Sequence, residues 1–183
     1  MPFHKRDAKK IFKAYCLSPI GRLEVAATRD GVTSVGFVRK REAAVGAPAP
    51  AGPAAAHLKK CLAELREYFE GKRTAFGVKL DLQGSAFDRR VWAELLKVPF
   101  GETTSYGELA RAAGRTGAAR AVGGANHRNP VAVIVPCHRV IGGDGSLVGY
   151  GAGLDRKAWL LVHERKVAAK AKKGRRSAPR KRS

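Results

Sequence analysis

The largely apolar runs at 12–18 (FKAYCLS) and 22–28 (RLEVAAT), short and bounded by turn residues, read as strands. Pro19-Ile20-Gly21 joins the two segments, Arg29-Asp30-Gly31 marks the next turn, and 32–38 (VTSVGFV) reads as a third strand. Short strands in succession with tight turns predict an antiparallel meander. The stretch GAPAPAGP at 46–53 is too rich in Pro and Gly for a regular element and reads as a loop. From 55 to 70 the period changes to three and four. Leu58, Cys61, Leu62, Leu65 and Phe69 then share one helical face, with Gly71 as the stop. A short strand is expected near 78–82.

The second half is mostly helical. Ser85 with Asp88 three residues on is a capping signal ahead of Val91, Trp92, Leu95 and Leu96, and Pro99 and Gly101 end that helix. Ser105 with Glu108 opens a second helix, SYGELARAAG; Gly114-Arg115-Thr116 breaks it, and GAARAVGGANHR forms a third. Two short helices around a glycine-containing turn match a helix-turn-helix. Gly123 and Gly124 inside the later helix cost about 1 kcal/mol each relative to alanine, which points to close packing or to a ligand that must come close. The apolar, β-branched run VAVIVP (131–136) is too short for a helix and delivers the chain to Cys137. A glycine-rich loop (142–153) and a last helix, from Asp155 to Arg165, complete the body. The predicted organisation is an α/β domain over 1–84, a mainly α domain over 85–165 and a basic, disordered tail over 166–183.

Charge adds a partner. The formal net charge is +21, and ten of the Lys and Arg residues fall within 165–183, where there is no acid, so the body keeps the remaining eleven. Such an excess points to a polyanion, because cationic side chains release counterions on neutralising phosphates. From charge alone DNA, RNA and an anionic membrane surface all remain open. No apolar run has the length of a membrane span or a signal peptide, which predicts a cytoplasmic protein (nuclear in a eukaryote). Three cysteines without regular spacing predict neither a disulfide framework nor a metal site.

The chemistry concentrates at Pro136-Cys137-His138-Arg139. A thiol attacks as thiolate and needs a base or positive surroundings to form it, and both lie beside Cys137 in sequence. Cys16 in a strand and Cys61 on an apolar helix face read as core residues, and His4, His57 and His127 as surface groups. The loop GGDGSLVGYGAG lacks the strand-to-helix context and the Lys-Ser/Thr ending of a phosphate loop. It reads instead as a cover over a pocket, with Tyr150 as an aromatic wall.

Ile134-Val135-Pro136-Cys137-His138-Arg139-Val140-Ile141 resembles the active-site signature of the O6-alkylguanine-DNA alkyltransferases. Arg120-Ala121-Val122-Gly123, Ala125 and Asn129-Pro130 resemble that family's recognition helix and hinge. Ser105-Tyr106 resembles the start of its helix-turn-helix, and Trp159-Leu160-Leu161 with His163-Glu164 its last helix. The likeness covers about residues 12–165. It implies a ribonuclease H-like N-terminal domain and a winged-helix-like C-terminal one. It also implies a monomer that binds the minor groove of double-stranded DNA containing alkylated bases and flips the damaged nucleotide out of the stack, where a protein thiol can reach it.

By position, the resemblance makes Cys137 the alkyl acceptor, with Glu164 orienting His138, which takes the thiol proton through a water. Tyr106 donates a proton toward the leaving base, and Asn129 ties the helix to the active-site turn. Arg120 fills the space of the flipped nucleotide, with Ala121, Gly123 and Arg128 also at the DNA. Pro136, Val140, Tyr150, Gly151 and Ala152 line the substrate pocket. The reaction would be a single, irreversible transfer from O6-alkylguanine, with O4-alkylthymine as a second lesion, and would require no metal or organic cofactor. Ala152 stands where many relatives carry a second glycine or a Ser-Gly pair, which narrows the expected pocket. The N-terminal Cys/His set of zinc-binding relatives is not evident. Two other readings fit parts of the pattern: a protein that recognises the lesion without reacting, in which the nucleophile is normally replaced, and a Cys-His hydrolase.

Overall fold

The structure, a computed structural model, describes residues 10–38 and 52–177. It opens with three antiparallel strands in the order β1-β2-β3, comprising β1 (Phe12–Ser18), β2 (Gly21–Thr28) and β3 (Gly31–Phe37). The reversal at Pro19-Ile20 sets Ser18 opposite Gly21, and a bulge lies between Ala26 and Ala27. Helix α1 (Gly52–Phe69) packs across β1 and β2. Its buried face carries Ala54, Leu58, Cys61, Leu65 and Tyr68. Leu62 and Phe69, expected on that face, sit half-buried at its edge.

The free edge of β3 is where the N-terminal sheet meets the rest of the chain. Val32 exchanges bonds with the incoming segment, its N–H donating to Lys79 O (2.9 Å) while its carbonyl accepts from Asp81 N–H (2.8 Å). The strand expected near 78–82 is thus a single bridge at Leu80. The backbone runs so close here that a Cβ on Gly31 would lie 2.8 Å from Lys79 O. Further along, Val35 N–H donates to Pro130 O (2.9 Å) and Ala132 N–H to Val35 O (2.8 Å). The N-terminal sheet therefore anchors the segment that leads to Cys137.

The remainder is helical. Helix α2 (Ala86–Leu95) starts at a full capping box: Asp88 N–H donates to Ser85 Oγ and the Asp88 carboxylate accepts from Ser85 N–H. Leu96, expected on its apolar face, is the C-cap and is exposed. Two-residue strand β4 (Thr104–Ser105) leads into α3 (Tyr106–Ala112), capped by Ser105 and Glu108, and α4 (Ala119–His127) follows the Gly114–Gly117 turn. Trp92 locks α2 to α4 by donating from Nε1 to Ala125 O (2.9 Å) within the core. A 3-10 turn (Cys137–Arg139) precedes β5 (Val140–Ile141), which pairs in parallel with β4.

Helix α5 spans Leu154–Ser177 and corrects the expected end at Arg165 and the disordered tail beyond it, since residues 166–177 continue the helix. Val167 lies over Gly71 and Ala168 over Gly101, so the body supports its next turn. Residues 178–183 lie outside the described residues, as do His4 and most of the loop read at 46–53.

Candidate active site

The run 131–136 does not stay extended. After the bridge at Val131 it coils tightly, with Ile134 N–H donating to Ala132 O, Val135 N–H to Val131 O and Cys137 N–H to Val135 O. Val133 takes φ 72°, a conformation β-branched residues avoid, and is fully buried. Asn129 holds this coil together. Its Oδ1 accepts from Val131 N–H (3.0 Å), and its Nδ2 donates to Val135 O (2.8 Å) and to Cys137 Sγ (3.2 Å). The sulfur thus has one amide N–H aimed at it from the hinge.

Behind the cysteine lies a fully buried pair: His138 Nε2 and Glu164 Oε1 are 2.8 Å apart. Burial keeps His138 below its ordinary value and hence neutral, although Glu164 works against this. A neutral ring donating from Nε2 leaves Nδ1 as an acceptor, and Nδ1 has no hydrogen-bond partner among the described residues. Burial alone would raise Glu164, but His138 and Arg139 outweigh it and hold the carboxyl well below the usual carboxylate range.

Glu164 is the hub of a network the sequence reading did not contain. Arg139 grips both of its oxygens, through Nε to Oε2 (2.9 Å) and Nη2 to Oε1 (3.0 Å), and donates from Nη1 to Val98 O (2.6 Å). The Tyr68 hydroxyl, from α1, donates to Oε1 (2.8 Å), and Gly101 N–H donates to Oε2 (3.0 Å). Elements from both halves of the chain converge on this one carboxylate.

Lys157 was also missed. It is fully buried, and its ammonium donates to Val140 O (2.5 Å), Val148 O and Gly149 O (3.4 Å). It clamps the strand after the active-site turn to the glycine-rich loop and lends positive charge to Cys137, whose thiol burial otherwise pushes up. The signal for Lys157 is its seven-residue spacing from Glu164 on the face of α5 that buries Leu160 and Leu161.

A cavity of about 710 Å³ opens in front of Cys137, bordered by Tyr106, Arg120, Gly123, Tyr150 and Gly151. This is ample for a small organic group. The half-buried Tyr106 lends its hydroxyl to Val148 O and Gly149 O (both 3.3 Å). Burial raises its pKa, the charge at Cys137 adds to this and the neighbouring Asn126 opposes it. Burial likewise pushes Tyr150 up. Arg120 and Ala121 lie on the exposed side of α4. The nearest neighbour a Cβ on Gly123 would meet is Tyr106, at an ordinary 3.8 Å, so packing within the chain does not explain that glycine.

Other expected residues lie elsewhere. Ala152 borders a second cavity, of about 610 Å³, which reaches Cys137 from the side of Phe37, Asn129 and Arg156. Pro136 faces a separate groove with Phe100 and Arg139. Val140 is fully buried with its carbonyl taken by Lys157. Neither borders the cavity in front of Cys137. Arg128 is paired with Asp88 (2.7 Å), which closes the capping box of α2 with Ser85. Cys16 and Cys61 are free thiols, and burial pushes Cys61 up to about 12. His127 is exposed and His57 half-buried. Among the described residues no cluster of His, Cys, Asp or Glu could hold a metal ion, and no helix is long and apolar enough to cross a membrane.

A three-stranded sheet with one packed helix is joined to a helical half in which a helix-turn-helix is followed by a turn holding Cys137 at a cavity, backed by a buried His138–Glu164 pair, and this combination defines a class with a candidate thiol site beside a candidate nucleic-acid surface. Residues 11–82 match the model of the 6-O-methylguanine DNA methyltransferase ribonuclease-like domain and residues 86–166 that of the same family's DNA-binding domain. The chain belongs to the 6-O-methylguanine DNA methyltransferase family. It is similar to the methylated-DNA–protein-cysteine methyltransferase of Mycolicibacterium paratuberculosis, with 59% identity over 103 residues, or 56% of this chain and 62% of that one. The match therefore spans a little under two thirds of that relative. With the enzyme of the same name from Methanosarcina acetivorans, identity is 42% over 147 residues, covering 80% of this chain and 94% of the relative. Mycobacterium tuberculosis OGT, solved in complex with DNA, superposes with a TM-score of 0.76 at 44% identity, over 85% of this chain and 94% of that one.

Proposed function

We propose that this protein repairs DNA by moving an alkyl group from O6 of guanine, or O4 of thymine, irreversibly to Cys137. The observation that carries the reading is the position of Cys137 between a cavity bordered by α4 and a buried His138–Glu164 pair. The thiol is pushed up by burial, so it rests protonated and needs a base. Neutral His138 supplies one at Nδ1, taking the proton through a water, while Glu164 stabilises the imidazolium that forms. Sulfur then bonds to the alkyl carbon as the carbon–oxygen bond breaks, and its electron pair leaves with the base. Tyr106, raised by burial and hence protonated, supplies a proton toward the departing base. Asn129 positions the turn and steadies the thiolate.

The thioether product resists water, so each molecule reacts once. No cofactor is called for, because the substrate carries its own electrophilic carbon. DNA would be met by α4 in the minor groove, with Arg120 entering the stack where the nucleotide has flipped out and Ala121 and Gly123 allowing close approach. Tyr150, Gly151 and Ala152 would hold the base. Arg128 would act on DNA only after releasing Asp88 and otherwise positions α4. The proposed unit is a monomer acting on double-stranded DNA in the cytoplasm, or in the nucleus of a eukaryote.

The test is intact-protein mass spectrometry after incubation with an oligonucleotide containing O6-methylguanine, for wild type and Cys137→Ala. One methyl group gained by wild type alone, localised to Cys137, is the expected result. An unchanged mass with the DNA still bound would leave a lesion-recognition protein. Repeated turnover of acyl substrates without DNA would indicate a hydrolase.

A further inference from the structure

Asn126 has no part in the reaction just described, yet it is the most conspicuous polar side chain near Cys137. It lies on the inner side of α4, 8% exposed, and neither its Nδ2 nor its Oδ1 has a hydrogen-bond partner among the described residues. Unpaired buried amides are disfavoured and rare, and one at the edge of a cavity implies a ligand that completes it. Asn126 borders both cavities that meet at Cys137. Among its polar neighbours, Asn129 is engaged with the active-site coil and Lys157 with three carbonyls; the Tyr106 hydroxyl, which donates to Val148 and Gly149, lies near enough for Asn126 to lower its pKa yet outside hydrogen-bond geometry with the amide.

We propose that Asn126 is a specificity-determining residue whose carboxamide hydrogen-bonds the extruded base, an inference that rests on the alkyl-transfer reading above. Alkylation at O6 leaves N1 of guanine without a hydrogen, next to a 2-amino group. The lesion therefore presents an acceptor beside a donor, the complement of a carboxamide N–H and C=O. The same pairing lets Asn read adenine bidentately in duplex DNA. Undamaged guanine carries a hydrogen on N1 and would set donor against donor. The residue thus favours the alkylated base over the normal one by a contact an apolar wall could not make, and it favours purine over pyrimidine lesions.

The experiment measures single-turnover methyl transfer by wild type and Asn126→Leu from duplexes carrying O6-methylguanine or O6-methylhypoxanthine, which lacks only the 2-amino group. Wild type should react about 10-fold faster with the guanine lesion, the worth of one buried hydrogen bond. N126L should fold with an unchanged or higher Tm, having lost two unpaired buried polar atoms. It should transfer from the guanine lesion about 10–100-fold more slowly than wild type, with the ratio between the two substrates collapsing toward unity. If N126L unfolds, Asn126→Ala reads the same ratio. Wild-type rates in the variant, or a ratio that stays as in wild type, would overturn the assignment. Absence of methyl transfer by wild type itself would instead remove the alkyl-transfer reading, and this inference with it.

Discussion

Replacing Glu164 by Gln tests the network in the way most sensitive to its geometry. The five hydrogen bonds reaching the carboxylate all come from donors: Tyr68, His138, Arg139 twice and Gly101. A carboxamide turns one acceptor into a donor, so whichever way it flips, an NH2 meets at least two of these donors. It also strips the counter-charge from Arg139, which is 7% exposed. Breaking a buried pair from one side costs about 3–5 kcal/mol. For a chain of this size, about 2–4 °C per kcal/mol places the fall in Tm at roughly 6–20 °C. Urea denaturation followed by fluorescence of the core residue Trp92 reads the change. Replacing both partners, with Glu164→Leu and Arg139→Met together, should recover only part of the loss, because no buried charge remains but Tyr68, His138 and Gly101 still lose their acceptor. A single-variant loss below about 1 kcal/mol would refute the account, since that is the worth of an exposed ion pair. The pH dependence has a defined sign. Glu164 is depressed in the fold, so its contribution is full above the ordinary 4.5 and is lost as pH falls below that. His138 is buried neutral and depressed from 6.5, so acid first erodes stability as the unfolded chain takes up that proton, and then through Glu164.

Lys157→Met should free the glycine-rich loop from Val140. Hydrogen exchange at residues 142–151 would accelerate, and methyl transfer would slow by about 10-fold as Cys137 loses a nearby cation. Unchanged exchange would show that Lys157 is not the clamp. Gly149→Ala introduces a Cβ 2.7 Å from the Tyr106 hydroxyl at a backbone φ of 56°, so transfer should fall while urea stability drops by only about 1–2 kcal/mol; an unaffected rate would remove Tyr106 from the reaction. Removing residues 170–183, which hold eight Lys and Arg and lie beyond the supported turn at Val167 and Ala168, should flatten the salt dependence of DNA binding. An unchanged slope would leave those charges without a role at the phosphates.

The division between the halves of the fold reflects how local each signal is. The short runs and turns at 12–38, the capping boxes at Ser85 and Ser105 and the break at Gly114 each act over a few residues, so the sequence predicts their elements to within a residue or two. The end of α5 was misjudged because composition after Arg165 shows charge, whereas the helix continues over Gly71 and Gly101, two contacts composition does not contain. The run 131–136, too short for a helix as the sequence predicts, takes a shape that its composition does not encode. Its β-branched residues favour extension, yet Asn129 and the edge of β3 hold it coiled, with Val133 in a conformation its side chain resists.

By itself, then, the sequence singled out Cys137 and His138 as the candidate chemistry, predicted the helices on either side and, through its charge, pointed to a polyanion as partner. These are properties of residue type and short spacing. Tertiary structure alone decided which groups complete the site. The resemblance already implied Glu164 beside His138, but Tyr68, Gly101 and the grip of Arg139 join it, across as many as 96 residues, only because α1, α5 and the turn at Gly101 enclose one carboxylate. Lys157 became a clamp, Arg128 a partner of Asp88, and Asn126 an unpaired amide at the cavity for the same reason. Hydrogen bonds and buried charges are satisfied by whatever lies within about 3 Å, and spacing along the chain does not encode that distance.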